Sequence, residues 1–164
     1  MKENILFEET QKFDQSFFIW AIWLGPLFIA SIIVYQVFSG TFSLSETDGK
    51  ILGGLFILMS LLSMLLQRIQ LRTLVTKDKI ILTFPYMTTK EVSIESITKA
   101  EKKTYSPLKD YGGWGIRWGK EGKAYNVKGN EGIKLLINGR EKFMIGSQKA
   151  DELEQVLKSL SVPI

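Results

Sequence analysis

The stretch FFIWAIWLGPLFIASIIVYQVF, Phe17–Phe38, decides the fold, because its twenty-two residues carry no charge. A helix rises about 1.5 Å per residue, so this length crosses a hydrocarbon core of roughly 30 Å. Pro26 lies inside it, which a spanning helix tolerates when a neighbour or a kink absorbs the lost hydrogen bond. A second uncharged run, ILGGLFILMSLLSMLL, covers Ile51–Leu66, and Gly49 and Gln67 extend it toward spanning length. One such run suits the core of a soluble protein; two in succession point to a membrane. A cleaved leader fits the first run poorly, since Met1–Ser16 is acidic and no small-residue cleavage pattern follows Phe38. The first run is therefore expected to be a retained span.

Working outward, the charge divides where the hydropathy does. Through Leu66 there are three basic and six acidic residues, a net of −3, and from Gln67 onward eighteen and eleven, a net of +7. Together they give the formal +4 of the 164 residues. The connector Ser39–Lys50 carries a single Lys, whereas Arg68, Arg72, Lys77 and Lys79 crowd the exit of the second span. Lys and Arg favour the cytoplasmic side, so both ends are expected there, in a multi-pass protein of the cell membrane. The expected divisions are a cytoplasmic segment 1–16, transmembrane helices 17–38 and 51–67, an external connector 39–50, and a cytoplasmic β domain 68–164. Lys2 and Lys12 support this placement weakly, and Trp20 and Trp23 suit the interfacial level of the first span. Gly53-Gly54 offers close helix packing. Phe7, Gln11 and Gln15 recur at helical spacing, so Ile5–Gln15 reads as a helical lead-in along the surface or as an extension of span one.

Beyond Gln67 the pattern shortens to strands. Leu71–Val75 and Ile80–Phe84 flank the polar turn Thr76–Lys79, which is a hairpin signal. Val92–Ile97, Ile97–Tyr105, Ala124–Val127 and Ile133–Ile137 read as further strands, and Ser106–Asp110 as a loop. Asn138-Gly139 before Phe143–Ile145 predicts a type I′ hairpin, whose central positions both need positive φ. At the end, Ser147 is a candidate N-cap, and Asp151, Glu152 and Glu154 suit the early turns of a helix. Leu153, Val156, Leu157 and Leu160 then form an apolar stripe, with Pro163 past its end. The expectation is about seven strands closed by one amphipathic C-terminal helix, a small plugged barrel.

Three stretches carry a family likeness: Phe7–Gln15, the block Gly113-Trp-Gly-Ile-Arg117 with Gly122–Ile133, and Ile145–Leu153. With the spans before them, they resemble small bacterial two-span membrane proteins with a C-terminal pleckstrin-homology-like (PH-like) domain, a family of largely unknown function. The resemblance implies a two-helix transmembrane hairpin followed by a mainly-β PH-like domain, and it transfers no catalytic residue.

The chemistry on offer is narrow. The chain has no Cys and no His, which excludes thiolate nucleophiles, Cys/His zinc sites and imidazole acid–base work. No carboxylate loop has calcium spacing, so neither a metal nor a cofactor is expected. The Gly-rich stretch Tyr111–Gly132 lacks both phosphate-loop spacings and is followed by strands, so its glycines read as turns and bulges. Glu95, Glu101, Asp110 and Glu121 are scattered among lysines without an acid–base pair, and an enzyme is not expected. Trp114, Arg117, Trp118, Lys120, Lys123 and Tyr125 mix aromatic and basic groups in twelve residues. They read either as a surface for anionic lipid head groups or a protein partner, or as a strand with Trp114 and Ile116 inward and its cations solvated. The basic balance raises nucleic acid too, but no recognition motif accompanies it. The function expected is a membrane-anchored, non-enzymatic binding or scaffolding protein whose ligand the sequence does not name, with a protein partner, a second copy or anionic lipid head groups as the candidates. The alternative is an accessory subunit of a membrane enzyme or transporter, disfavoured because neither span holds an ionisable residue.

Overall fold

The structure is a computed structural model that describes residues 4–13, 16–43 and 47–164. Lys2, Gln15 and connector residues 44–46, which entered the sequence reading, lie outside the described residues. The chain divides into two units, Phe13–Ile69 and a second that joins the residues up to Lys12 with Gln70–Ile164.

The first unit holds helices α1 (Ser16–Phe38) and α2 (Thr47–Gln67), both long and apolar enough to cross a membrane. Pro26 has no N–H for the carbonyl of Ile22, four residues earlier, and leaves it without its helical donor. Ser63 of α2 supplies the replacement: its hydroxyl lies 3.0 Å from Ile22 O and 2.7 Å from Met59 O. Met59 O is four residues back on Ser63's own helix, so the Ile22 carbonyl is the one in need. Close packing comes from Gly25, where a Cβ would stand 2.8 Å from Met59 Cε. Gly53 and Gly54, expected to serve that purpose, have nothing within 4 Å of a Cβ.

A double-mutant cycle checks this arrangement. Ser63→Ala is expected to weaken hairpin association in detergent by about 1 kcal/mol. In a Pro26→Ala background, where residue 26 regains its N–H, the same change should cost nearly nothing. Equal costs in both backgrounds would break the link between Ser63 and Pro26.

The second unit is mainly β, in two sheets rather than one closed barrel. Its first strand, β1 (Phe7–Lys12), precedes the two long helices and pairs antiparallel with β2 (Gln70–Val75) after them, from Phe7↔Val75 to Lys12↔Gln70. The helical lead-in expected here is thus corrected to a strand. Phe7, Glu9 and Gln11 turn inward while Glu8, Thr10 and Lys12 face out, a period of two rather than 3.6. Strands β3 (Lys79–Phe84) and β4 (Thr88–Ser93) complete the order β1-β2-β3-β4. β4 lies earlier than the expected Val92–Ile97, since an edge strand needs little apolar burial and Val92 alone is buried in it. Ile94–Ser96 instead makes a 3₁₀ turn into the next sheet.

That sheet has the order β5-β8-β9-β7-β6, from β5 (Ile97–Thr104), β6 (Gly115–Gly119), β7 (Gly122–Asn126), β8 (Glu131–Ile137) and β9 (Glu141–Gly146). Among the described residues there are nine strands, β1 and β6 adding to the seven expected. The β8–β9 turn has Asn138 at φ 50° and Gly139 at φ 67°, the positive pair the Asn-Gly signal predicts. The two sheets meet through Phe84, whose ring centroid lies 6.1 Å from that of Tyr125, itself 4.9 Å from Phe143.

Two helices finish the unit. Helix α3 (Pro107–Tyr111) replaces the expected loop: Ser106 caps it, Pro107 opens it, and Asp110 accepts from the Ser106 N–H at 2.7 Å. It lays Tyr111 against Tyr105, Ala124 and Met144, a small second core. Helix α4 (Ala150–Ser159) buries Leu153 and Leu157 and packs on β5, β8 and β1. Ser147 is not its cap. Its hydroxyl instead donates to the Glu9 carboxylate at 2.6 Å, and the Gln148 N–H donates to the same carboxylate at 2.8 Å. Gln11 adds a 2.7 Å bond from Nε2 to Gly146 O. A strand from before α1 and α2 thus holds the junction between the last strand and the last helix.

Candidate functional site

The aromatic-basic stretch folds as the β6–β7 hairpin, with Lys120-Glu121 at its tip and Trp118 paired with Lys123. Gly119 lets it close down on α3, since a Cβ there would stand 2.2 Å from Asp110 O and 2.5 Å from the Tyr111 ring. β6 is the last strand of its sheet, so among the described residues one edge of its backbone has no strand beside it.

The six residues singled out from the sequence separate into different roles. Tyr125 is core, 2% exposed and wedged between Phe84 and Phe143. Trp114 is half-buried, and its carbonyl accepts a 2.9 Å bond from Arg117 Nε. Arg117, Trp118 and Lys120 are exposed, with 75% of Trp118 open to solvent. Lys123 is half-buried, with its ammonium 5.4 Å from the Trp118 ring centroid and 5.1 Å from that of Tyr125. A cation between two ring faces holds the exposed indole over the core. The solvent-facing part of the stretch is therefore Arg117, Trp118 and Lys120 with half-buried Lys123, backed by Tyr125 and Trp114. Of the inward pair expected, Ile116 is half-buried beside Trp114.

Sequence reasoning missed how the tip is anchored. Glu121 accepts from Lys103 at 2.5 Å and pairs with Lys134 at 3.3 Å, so residues from β5 and β8 fix a turn that is remote in sequence. The Lys103 hydrogen bond holds the Glu121 carboxyl below its usual range, and Glu121 in turn raises Lys103. Lys102 is raised in the same manner by its hydrogen bond with Asp151. These shifts move each group away from neutrality rather than toward it, which suits electrostatic positioning rather than proton transfer. No cluster of metal-ligating residues occurs among the described residues. A shallow depression of about 170 Å³ is lined by Lys99, Glu101, Lys134, Leu135, Leu136 and Lys142, on strands β5, β8 and β9. Glu101 and Glu121 already offset two of its lysines.

Burial pushes both Tyr105 and Tyr111 up to about 12, the latter helped by Glu121. A phenol that keeps its proton when folded and loses it near pH 10 when unfolded stabilises the fold below pH 10. That contribution fades as pH rises from 10 to about 12. A spectrophotometric titration should show a late tyrosinate phase near pH 12 that disappears in the Tyr105→Phe/Tyr111→Phe double variant; its persistence would place other phenols there.

No protein-family model matches the chain, and no curated protein matches it.

Proposed function

We propose that the chain is a membrane-anchored, non-enzymatic binding module, with a PH-like β unit that takes a protein segment at its β6 edge. The observation that carries this reading is a sheet edge bearing an exposed Trp118, with Arg117, Lys120 and Lys123 around it. An extended segment adding to such an edge gains main-chain hydrogen bonds, and an indole backed by a cation supplies the hot spot. The opposite edge, β5, is less accessible, because Ala100 N–H donates to Pro163 O at 2.7 Å and the end of the chain lies along it. Support for the PH-like form comes from the order of parts: a four-strand meander, a second sheet and a closing helix. In that form the two spans interrupt the domain between its first and second strands.

The pairing of β1 with β2 has a topological consequence. The chain leaves the β unit after Lys12 and returns at Gln70, so an even number of crossings fits between them. Two spans satisfy this, and the Lys/Arg excess past the second favours the cytoplasmic side. The protein partner, or a second copy of the chain, would then meet the β unit at the inner face of the membrane.

The test is a photo-crosslinking residue at position 118 of the full chain in native membranes, compared with one at Lys77, in the β2–β3 turn. Discrete protein adducts at 118 that a Lys123→Glu change reduces at least fivefold are the expected result. Adducts equal at the two positions, or none at 118, contradict the reading.

A further inference from the structure

The end of the first sheet at which the chain leaves for the helices and returns from them is fixed by register alone. β1 runs from Phe7 to Lys12, β2 returns from Gln70 to Val75, and Lys12 is the partner of Gln70. Both links to the helices therefore leave the sheet from one end. β3 runs back toward that end, since Val75 partners Ile80 and Arg72 partners Thr83, and β4 departs from it again. The β3–β4 turn, Pro85-Tyr86-Met87, thus lies at the end where the chain departs for the spans. The β2–β3 turn, with Lys77, lies at the other.

This turn is unusual in three respects. Tyr86 is 97% exposed and Met87 62% exposed, so two large apolar side chains meet solvent side by side. Tyr86 has φ 65°. Pro85 before it and the 3.0 Å bond from Met87 N–H to Phe84 O give the form of a type II turn, where glycine or asparagine is usual. A tyrosine in that position is strained, and its side chain gains no burial within the fold in return.

We propose that Pro85-Tyr86-Met87 is a membrane-contact turn, inserted at the head-group level of the bilayer that α1 and α2 cross. The links between sheet and helices are residues 13–15 and 68–69, three and two residues long. Neighbouring strands are about 5 Å apart, so the turn lies beside the strand ends from which these short links depart. Tyrosine prefers the interface, where its ring meets acyl chains and its hydroxyl meets water. Lys12 and Arg68, beside the two links, suit the phosphates of the same layer. The occupant of this apolar tip is therefore lipid, and the contact orients the β unit and its β6 edge on the surface. The proposal rests on α1 and α2 being membrane spans, and its experiment tests that separately.

The absence of cysteine makes every introduced cysteine a unique label. The full chain would be reconstituted in phosphatidylcholine–phosphatidylglycerol vesicles with an environment-sensitive fluorophore at Tyr86→Cys, Met87→Cys, Lys77→Cys or Leu58→Cys, the last within α2. Lipids bearing a head-group-level or a mid-chain quencher are then added. The proposal expects at least twofold stronger quenching at 86 and 87 than at 77 by the head-group-level lipid, and quenching at 58 by the mid-chain lipid. Quenching at 58 with 86 and 87 no different from 77 overturns the contact and leaves the spans standing. No quenching at 58 overturns the spans, and the contact falls with them.

Discussion

Glu9→Ala is expected to lower the stability of the β unit by about 3 kcal/mol, while Glu8→Ala, one residue away, should cost no more than about 0.5 kcal/mol. Glu9 is 7% exposed, and its two carboxylate oxygens receive the Ser147 hydroxyl and the Gln148 N–H at 2.6 and 2.8 Å. Alanine removes both acceptors and leaves two donors at the start of α4 without the partners they were buried against. Hydrogen bonds to a charged group contribute about 1.5–3 kcal/mol each, less what burial of the carboxylate costs. Glu8 also has a partner, Arg72 at 2.7 Å, but both side chains are nearly half exposed and water replaces the contact readily. Glu9→Gln should fall between, because an amide has one accepting oxygen where the carboxylate has two. Denaturant unfolding of the full chain in mild detergent gives these numbers. Hydrogen exchange at Gln148 should accelerate in Glu9→Ala and not in Glu8→Ala. Similar costs for the two variants would mean that β1 does not clasp the junction before α4.

Gly132→Ala should be as damaging, again about 3 kcal/mol, although it adds a single methyl group. A Cβ on Gly132 would stand 2.2 Å from Ile145 O, 2.9 Å from Ile145 C and 3.0 Å from Gly146 Cα. All three are backbone atoms of β9, so no side chain can swing away and the strand itself must move. Gly132 partners Gly146 there, and Gly146 is equally confined by Asn126 and the Tyr105 hydroxyl. β8 and β9 therefore approach at a pair of residues without side chains, next to the Glu9 junction. Gly54→Ala makes the same chemical change where nothing lies within 4 Å, and it should leave stability within about 0.5 kcal/mol of the parent. Circular dichroism melts of the two variants separate them. A Gly132→Ala protein that melts with the parent would show that the two strands are not so close.

The long apolar helices were legible because one signal, charge-free length, dominates everything else in Phe17–Phe38 and Ile51–Leu66. The strands Leu71–Val75, Ile80–Phe84 and Ile133–Ile137 were legible for a related reason, since each carries enough apolar residues to show itself. β1 was not. Its inward face is Phe7, Glu9 and Gln11, mostly polar, and its partner begins more than fifty residues later, beyond both helices. No local pattern reports a strand stabilised by hydrogen bonds to Ser147, Gln148 and Gly146. β6 was hidden by its glycines, which suggested turns, and α3 by its brevity, although Ser106-Pro107 is a cap followed by a first-turn proline. In the candidate site, composition marked a stretch but could not separate buried Tyr125 from exposed Trp118. Both lie on one face, across from Lys123 or next to it in register, and only the packing of Phe84 and Phe143 distinguishes them. The glycine pair in the spans misled for the opposite reason: Gly25, beside Pro26, does the packing that Gly53-Gly54 suggested.

In sequence, α1 and α2 interrupt one β unit, so that the strand before them is the partner of the strand after them. Paired cysteines test it most directly, because Glu8 and Leu74 are register partners in a chain without native cysteine. Opposed residues on one face of a sheet have Cβ atoms about 4.5–5.5 Å apart, close enough to join after a small adjustment. In membranes, mild oxidation of Glu8→Cys/Leu74→Cys should give an intramolecular disulfide in most molecules, and Glu8→Cys/Arg140→Cys should stay reduced. Free thiols in the first pair, or bridges formed only between chains, would show that β1 and β2 are not partners within one chain.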